Sequence, residues 1–146
     1  MNDAGLTRPS RASRRLAAVL LVVLPSVMYG GVALLNALVH DPSYMANPLR
    51  QNLWRAGHAH AGVLLVLALV ALRYVDEANL PAPLKPIARS FIPLAAILMP
   101  AGFFLSMVSS AATAPNSLIA LTYLGAGALM IGVVTLGVGL LRSDSR

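Results

Sequence analysis

Cysteine is absent from the 146 residues, which excludes disulfides, thiolate zinc sites, iron–sulfur clusters and a cysteine nucleophile. Any metal must then be held by histidine, methionine, asparagine or carboxylate. Charge is also scarce, since 11% of the residues are Asp, Glu, Lys or Arg against about 25% in soluble domains. Aromatic residues make up 5%, with one tryptophan and one lysine in the whole chain. With 58% hydrophobic residues and a mean hydropathy of +0.74, there is too little polar surface to cover a water-facing fold. A bilayer must supply the apolar surroundings. Four spans of about 20 residues with short loops use nearly all of the chain, so residues 1–146 read as a single membrane domain with no separate soluble one.

The net charge of +6 sits at segment ends. Arg8, Arg11, Arg14 and Arg15 precede the first apolar run and read as a topology signal rather than a phosphate-binding patch, so no nucleic-acid partner is expected. Apolar runs extend from Leu16 to Val39, Leu53 to Val75, Ala88 to Val108 and Leu118 to Leu141. The first is too long for the core of a cleaved secretory signal and reads as a retained span. Ser13-Arg14-Arg15-Leu16 has a twin-arginine look, but nothing that follows resembles folded cargo. Pro93 and Pro100 fall inside the third run, where a membrane helix tolerates them with a kink. Arg8, Arg11, Arg14, Arg15, Arg73, Lys85, Arg89, Arg142 and Arg146 mark one side, and only Arg50 and Arg55 the other. This imbalance predicts an all-α, integral membrane, antiparallel four-helix bundle with both termini cytoplasmic. The preference for arginine over lysine and the abundant alanine point to a bacterial inner membrane.

Polar side chains are costly in lipid, so their depth is informative. At 1.5 Å per residue, His58 and His60 lie roughly 8 to 10 Å below the outer boundary. Asn36, Phe103, Phe104, Ser106, Met107 and Tyr123 share that outer layer, whereas Thr135 is the main polar residue of the inner half. His58 and His60 stand among small residues: Ala56 and Gly57 lie four and three positions before His60, and Ala61 and Gly62 three and four after His58. These are same-face neighbours on a helix, so each imidazole stands beside bare backbone. Such a patch suits either a second helix packed very close or a large flat ligand such as a porphyrin. About 100° per residue sets the two rings some 160° apart, which argues against one metal clamped by both. Arg55, one turn before His58, suits an anionic group or snorkels to the interface beside Trp54. His40 and Met107 are the candidate second ligands.

The stretch Asn52-Leu53-Trp54-Arg55-Ala56-Gly57-His58-Ala59-His60-Ala61-Gly62-Val63-Leu64 resembles the histidine helix of the haem–copper oxidase catalytic subunit and its nitric oxide reductase relatives. It is also similar to a histidine-rich second helix of small bacterial membrane proteins. The resemblance implies His58 or His60 as the axial ligand of a haem b and Arg55 as partner of a propionate. Only three histidines are present, so oxygen reduction at a haem–copper centre is not expected. The expected function is a b-type cytochrome-like membrane protein for electron transfer, sensing or respiratory-complex assembly. His58, His60 and His40 are the metal candidates, and Arg55, Met107, Gly57, Gly62 and Tyr123 complete the cofactor-site candidates.

Two other classes stay open. In one, the histidines and glycines form a helix interface of a non-enzymatic accessory subunit; in the other, they serve a small transporter or proton-coupled channel. Gly125, Gly127, Gly132, Gly137 and Gly139 crowd the fourth span, and Ala128 and Gly132 make a small-xxx-small step. Such a face serves packing within the chain or contact with a second copy.

Overall fold

The computed structural model describes residues 8–142, so Arg146 and the tail after Arg142 lie outside the described residues. Among the described residues, 80% are helical and none lies in a strand. Its elements are α1 (Arg11–His40), a one-turn α2 (Pro42–Met45), α3 (Pro48–Tyr74), α4 (Leu84–Leu105) and α5 (Ala120–Leu141), the last entered through a 3-10 turn at Ser117–Ile119. Among the described residues, four helices are long and apolar enough to cross a membrane: α1, α3, α4, and the 3-10 turn continued into α5.

The helices begin where their capping chemistry allows rather than where the apolar runs do. The Ser10 hydroxyl accepts from the Ser13 N–H and starts α1 ahead of its arginines. Asn47 accepts from the Arg50 N–H, and Pro48 at the first helical position needs no partner for a missing N–H, so α3 starts five residues before Leu53. α4 ends at Leu105, which leaves Ser106 and Met107 in the turn beyond it.

Each long helix packs on the next in chain order: α1 on α3, α3 on α4 and α4 on α5. Along α4 and α5, a Cβ on Gly102 would meet Thr122, one on Gly125 would meet Met99, and one on Gly132 would meet Ile92. Residue numbers rise on one helix as they fall on the other, so the two run in opposite directions. Leu20, Leu65, Leu72, Ala88, Ile92 and Leu136 bring all four long helices into one apolar core. α1 contributes a narrow stripe to it, and only 6% of its most apolar stretch is buried.

At the core's end of the molecule, Asp76 accepts from the Ser10 N–H at 2.8 Å and from the Arg89 guanidinium at 2.8 Å, while Arg89 Nε donates to the Ser13 hydroxyl at 3.0 Å. One carboxylate thus joins the starts of α1 and α4 to the end of α3. Burial pushes the Asp76 carboxyl up, but hydrogen bonds from Ser10, Ser13 and Arg89 outweigh it and hold the group below its ordinary value. Asn79 N–H donates to the Gly139 carbonyl at 2.9 Å and draws in the end of α5. The described basic residues of the inner-side set therefore gather at one end.

The close α4–α5 contact yields a stability test. A Cβ at Gly125 would stand 2.9 Å from the Met99 backbone nitrogen, whereas one at Gly137 meets nothing within 4 Å among the described residues. Gly125→Ala should destabilise by roughly 1–3 kcal/mol through overpacking. Gly137→Ala should be neutral or stabilising by up to about 1 kcal/mol, the helix-propensity difference. Unfolding in detergent followed by circular dichroism measures both.

Candidate functional site

At the opposite end, the first turns of α3 clasp the end of α4. Arg50, only 8% exposed, donates from Nε to the Met107 carbonyl at 3.1 Å and from a terminal nitrogen to the Val108 carbonyl at 3.2 Å. Its guanidinium carbon lies 4.1 Å from the centre of the Trp54 ring. Trp54 in turn donates to the Phe104 carbonyl at 3.2 Å, and the Asn116 side chain donates to the Leu105 carbonyl at 3.0 Å. The Phe104 and Leu105 carbonyls that the helix end leaves free, and those of Met107 and Val108 just beyond it, are thus taken up, and the cation faces the negative end of the helix dipole. Sequence alone counts Arg50 as an outer-side charge; the structure makes it a buried staple.

The short α2 closes this end over α1 and α3. Asp41 accepts from the Ser43 hydroxyl at 2.7 Å and from the Ser43 and Tyr44 N–H groups, and these bonds, Ser43's first, hold its carboxyl below the ordinary value. The Gln51 side chain donates to the Tyr44 carbonyl at 2.9 Å. The Tyr44 side chain is thereby buried, 1% exposed, with its ring 5.7 Å from that of Trp54. Its hydroxyl is buried and makes no hydrogen bond among the described residues. Burial pushes the phenol up, against the pull of Arg55 and Arg50, so at neutral pH it is a protonated donor.

Tyr44, Arg55 and His58 line one cleft of about 370 Å³ between α1 and α3, walled on the α1 side by Gly31, Leu34, Leu35 and Leu38. Gly30 and Gly31 admit the His58 ring: a Cβ on Gly31 would stand 2.9 Å from Nε2 and 3.1 Å from Cε1, and one on Gly30 would stand 3.7 Å from Nδ1. This Gly-Gly pair was legible in the first apolar run, but nothing local to it indicates which side chain it receives.

The remaining candidates are dispersed. His60 donates from Nδ1 to the Ala56 carbonyl at 2.8 Å and lies 5.1 Å, centre to centre, from the Phe103 ring, away from the cleft. A carbonyl only accepts, so Nδ1 is the donor of this pair. His40 is exposed at the end of α1 and donates to the Asn36 carbonyl at 3.2 Å. Met107 is fully buried beneath Arg50, outside the cleft. A Cβ on Gly57 would meet Phe103 and Phe104 at 3.0 Å, so its bare backbone receives a second helix; Gly62 faces nothing within 4 Å among the described residues. Tyr123 is 72% exposed on α5, the helix that packs on α4.

Of the candidates read from sequence, the fold therefore brings Arg55 and His58 together and adds Tyr44. A low-spin haem takes two axial ligands, and neither His40, His60 nor Met107 lines the cleft with His58. The Nε2–Cε1 edge of His58 lies against the α1 backbone, so the cleft does not offer a two-ligand, low-spin haem site. No cluster of three or more His, Asp or Glu suited to a metal occurs among the described residues. No family model, curated protein or solved structure matches the chain.

Truncating Arg50 strands two carbonyls and removes a stacked cation. Arg50→Ala should cost roughly 2–4 kcal/mol. Arg55→Ala, an exposed position without a hydrogen bond or ion pair among the described residues, should stay within about 1 kcal/mol. Thermal unfolding of the two variants in one detergent makes the comparison.

Proposed function

We propose that this chain is a non-enzymatic, multi-pass protein of a bacterial cytoplasmic membrane that binds a small membrane-borne ligand in the Tyr44–Arg55–His58 cleft. Its four long helices form an antiparallel bundle with both termini cytoplasmic, which puts the cleft in the outer half of the bilayer. The observation that carries this reading is that three polar side chains share one cleft while none makes a side-chain hydrogen bond or ion pair among the described residues. Buried polar groups are ordinarily partnered, so the unpartnered Tyr44 hydroxyl in the wall that also carries the Arg55 charge marks this cleft out from the rest of the molecule. The orientation is supported by the gathering of basic residues at the Asp76 end.

A haem b bound through His58, with Arg55 on a propionate, is the second reading. What favours it is that the two side chains the resemblance pairs do line one cleft. The absence of a second ligand in that cleft and the tight seat of His58 on Gly31 weigh the other way.

Three measurements test the proposal. Native mass spectrometry of protein released from membranes in mild detergent should find a small-molecule adduct that is depleted in Arg55→Gln and, to a lesser degree, in Tyr44→Phe, with helix content unchanged. An adduct undiminished by both changes contradicts the site. The optical spectrum of the same preparation should lack a Soret band, and a band abolished by His58→Ala would establish the haem reading instead. Because the chain has no cysteine, Ala111→Cys should react with an impermeant maleimide in intact spheroplasts and Ala82→Cys only after lysis. The reverse pattern inverts the topology.

A further inference from the structure

The three polar groups of the cleft are rich in donors and poor in acceptors. A guanidinium offers five N–H donors and no acceptor, and the protonated phenol of Tyr44 offers an O–H. No aspartate or glutamate lines the cleft, so the Arg55 charge is not neutralised there. An occupant that complements this set carries several acceptor oxygens and a negative charge, as a phosphate ester does. A quinone, with two neutral carbonyls, would leave the cation unmatched.

The walls narrow the choice further. Leu34, Leu35 and Leu38 form the α1 side, with Leu35 62% and Leu38 41% exposed, so the cleft opens sideways across an apolar lip rather than only toward water. A free anion gains nothing from such a lip. An amphiphile enters along it, with its head at Arg55 and its chains on the leucines. Tyr44 sits on α2, the connection at this end of the molecule, and Arg55 lies two turns into α3. That is the level of the phosphates of the adjoining leaflet under the proposed orientation.

We infer that the cleft is a binding site for the phosphate headgroup of an anionic phospholipid of the outer leaflet, held by Arg55 against a wall that carries Tyr44 and His58. This rests on the cleft being a ligand site, as proposed above, and adds the ligand's class. The Tyr44 hydroxyl, buried and without a hydrogen bond among the described residues, lies in a side chain of the same cleft wall. The glycine pair that seats His58 fixes the floor of the same site.

The test uses the full chain in phosphatidylcholine nanodiscs doped with phosphatidylglycerol, with retained lipid counted by native mass spectrometry. Phosphatidylglycerol should be retained preferentially at one per chain. Arg55→Gln should weaken the preference about ten-fold, the size expected for losing a charged hydrogen bond, while Arg55→Lys should keep part of it. Tyr44→Phe, which removes one oxygen, should weaken it less and leave the fold intact. Equal retention of phosphatidylglycerol and phosphatidylcholine by the wild type overturns the inference. So does displacement of the retained lipid by millimolar inorganic phosphate, which would make the ligand a free anion. If decylubiquinone binds instead and is lost in Tyr44→Phe, the cleft stands as a site and the anionic class falls. If none of these probes binds, both fall.

Discussion

Lipid chains are as apolar as leucine, so burying leucines cannot by itself hold one membrane helix to the next. Everything else in this structure follows from how that constraint is met. Along the helices the answer is close approach: Gly102, Gly125 and Gly132 bring the α5 and α4 backbones together, Gly57 receives Phe103 and Phe104, and Gly30 and Gly31 receive His58. At the two ends the answer is polar. Asp76 with Arg89 and the two serines fastens the basic end, and Arg50 with Trp54 and Asn116 fastens the other.

Arg50 and Arg55, five residues apart, show how the same chemistry is divided between structure and site. Arg50 is buried, stacked and bonded to two backbone carbonyls. Arg55 is exposed and faces a cleft without a carboxylate on its wall. The helix turn separating them points one toward α4 and the other toward α1. α1 touches the rest along a single stripe, so the seam it makes with α3 is where space for a ligand is left.

The four long helices were legible in the sequence because hydropathy is a property of long windows and tolerates local error. Their ends were less so. Apolar runs mark the part of a helix that meets lipid, whereas α1 and α3 start at caps, Ser10 and Asn47, that lie outside it. At the end of α4, Trp54 and Asn116 take up the Phe104 and Leu105 carbonyls and Arg50 holds those of Met107 and Val108 just beyond, partners that lie on other elements. Within the candidate site, local spacing placed Arg55 and His58 on one face of α3, and they do share a cleft. It marked Gly57 as bare backbone and left open what would cover it, which is Phe103 and Phe104. Tyr44 was out of reach, because its burial depends on α2 folding back over α3, although Asp41 followed by Pro42 is a readable helix start.

The central claim, that Tyr44, Arg55 and His58 form a ligand site while the other histidines serve packing or solvent, is most directly tested by nitrogen-15 resonances of the chain's three histidines. In phosphatidylcholine bicelles titrated with phosphatidylglycerol, the His58 ring signals should shift and saturate while those of His40 and His60 stay in place. Equal drift of all three, or a stationary His58, would contradict it.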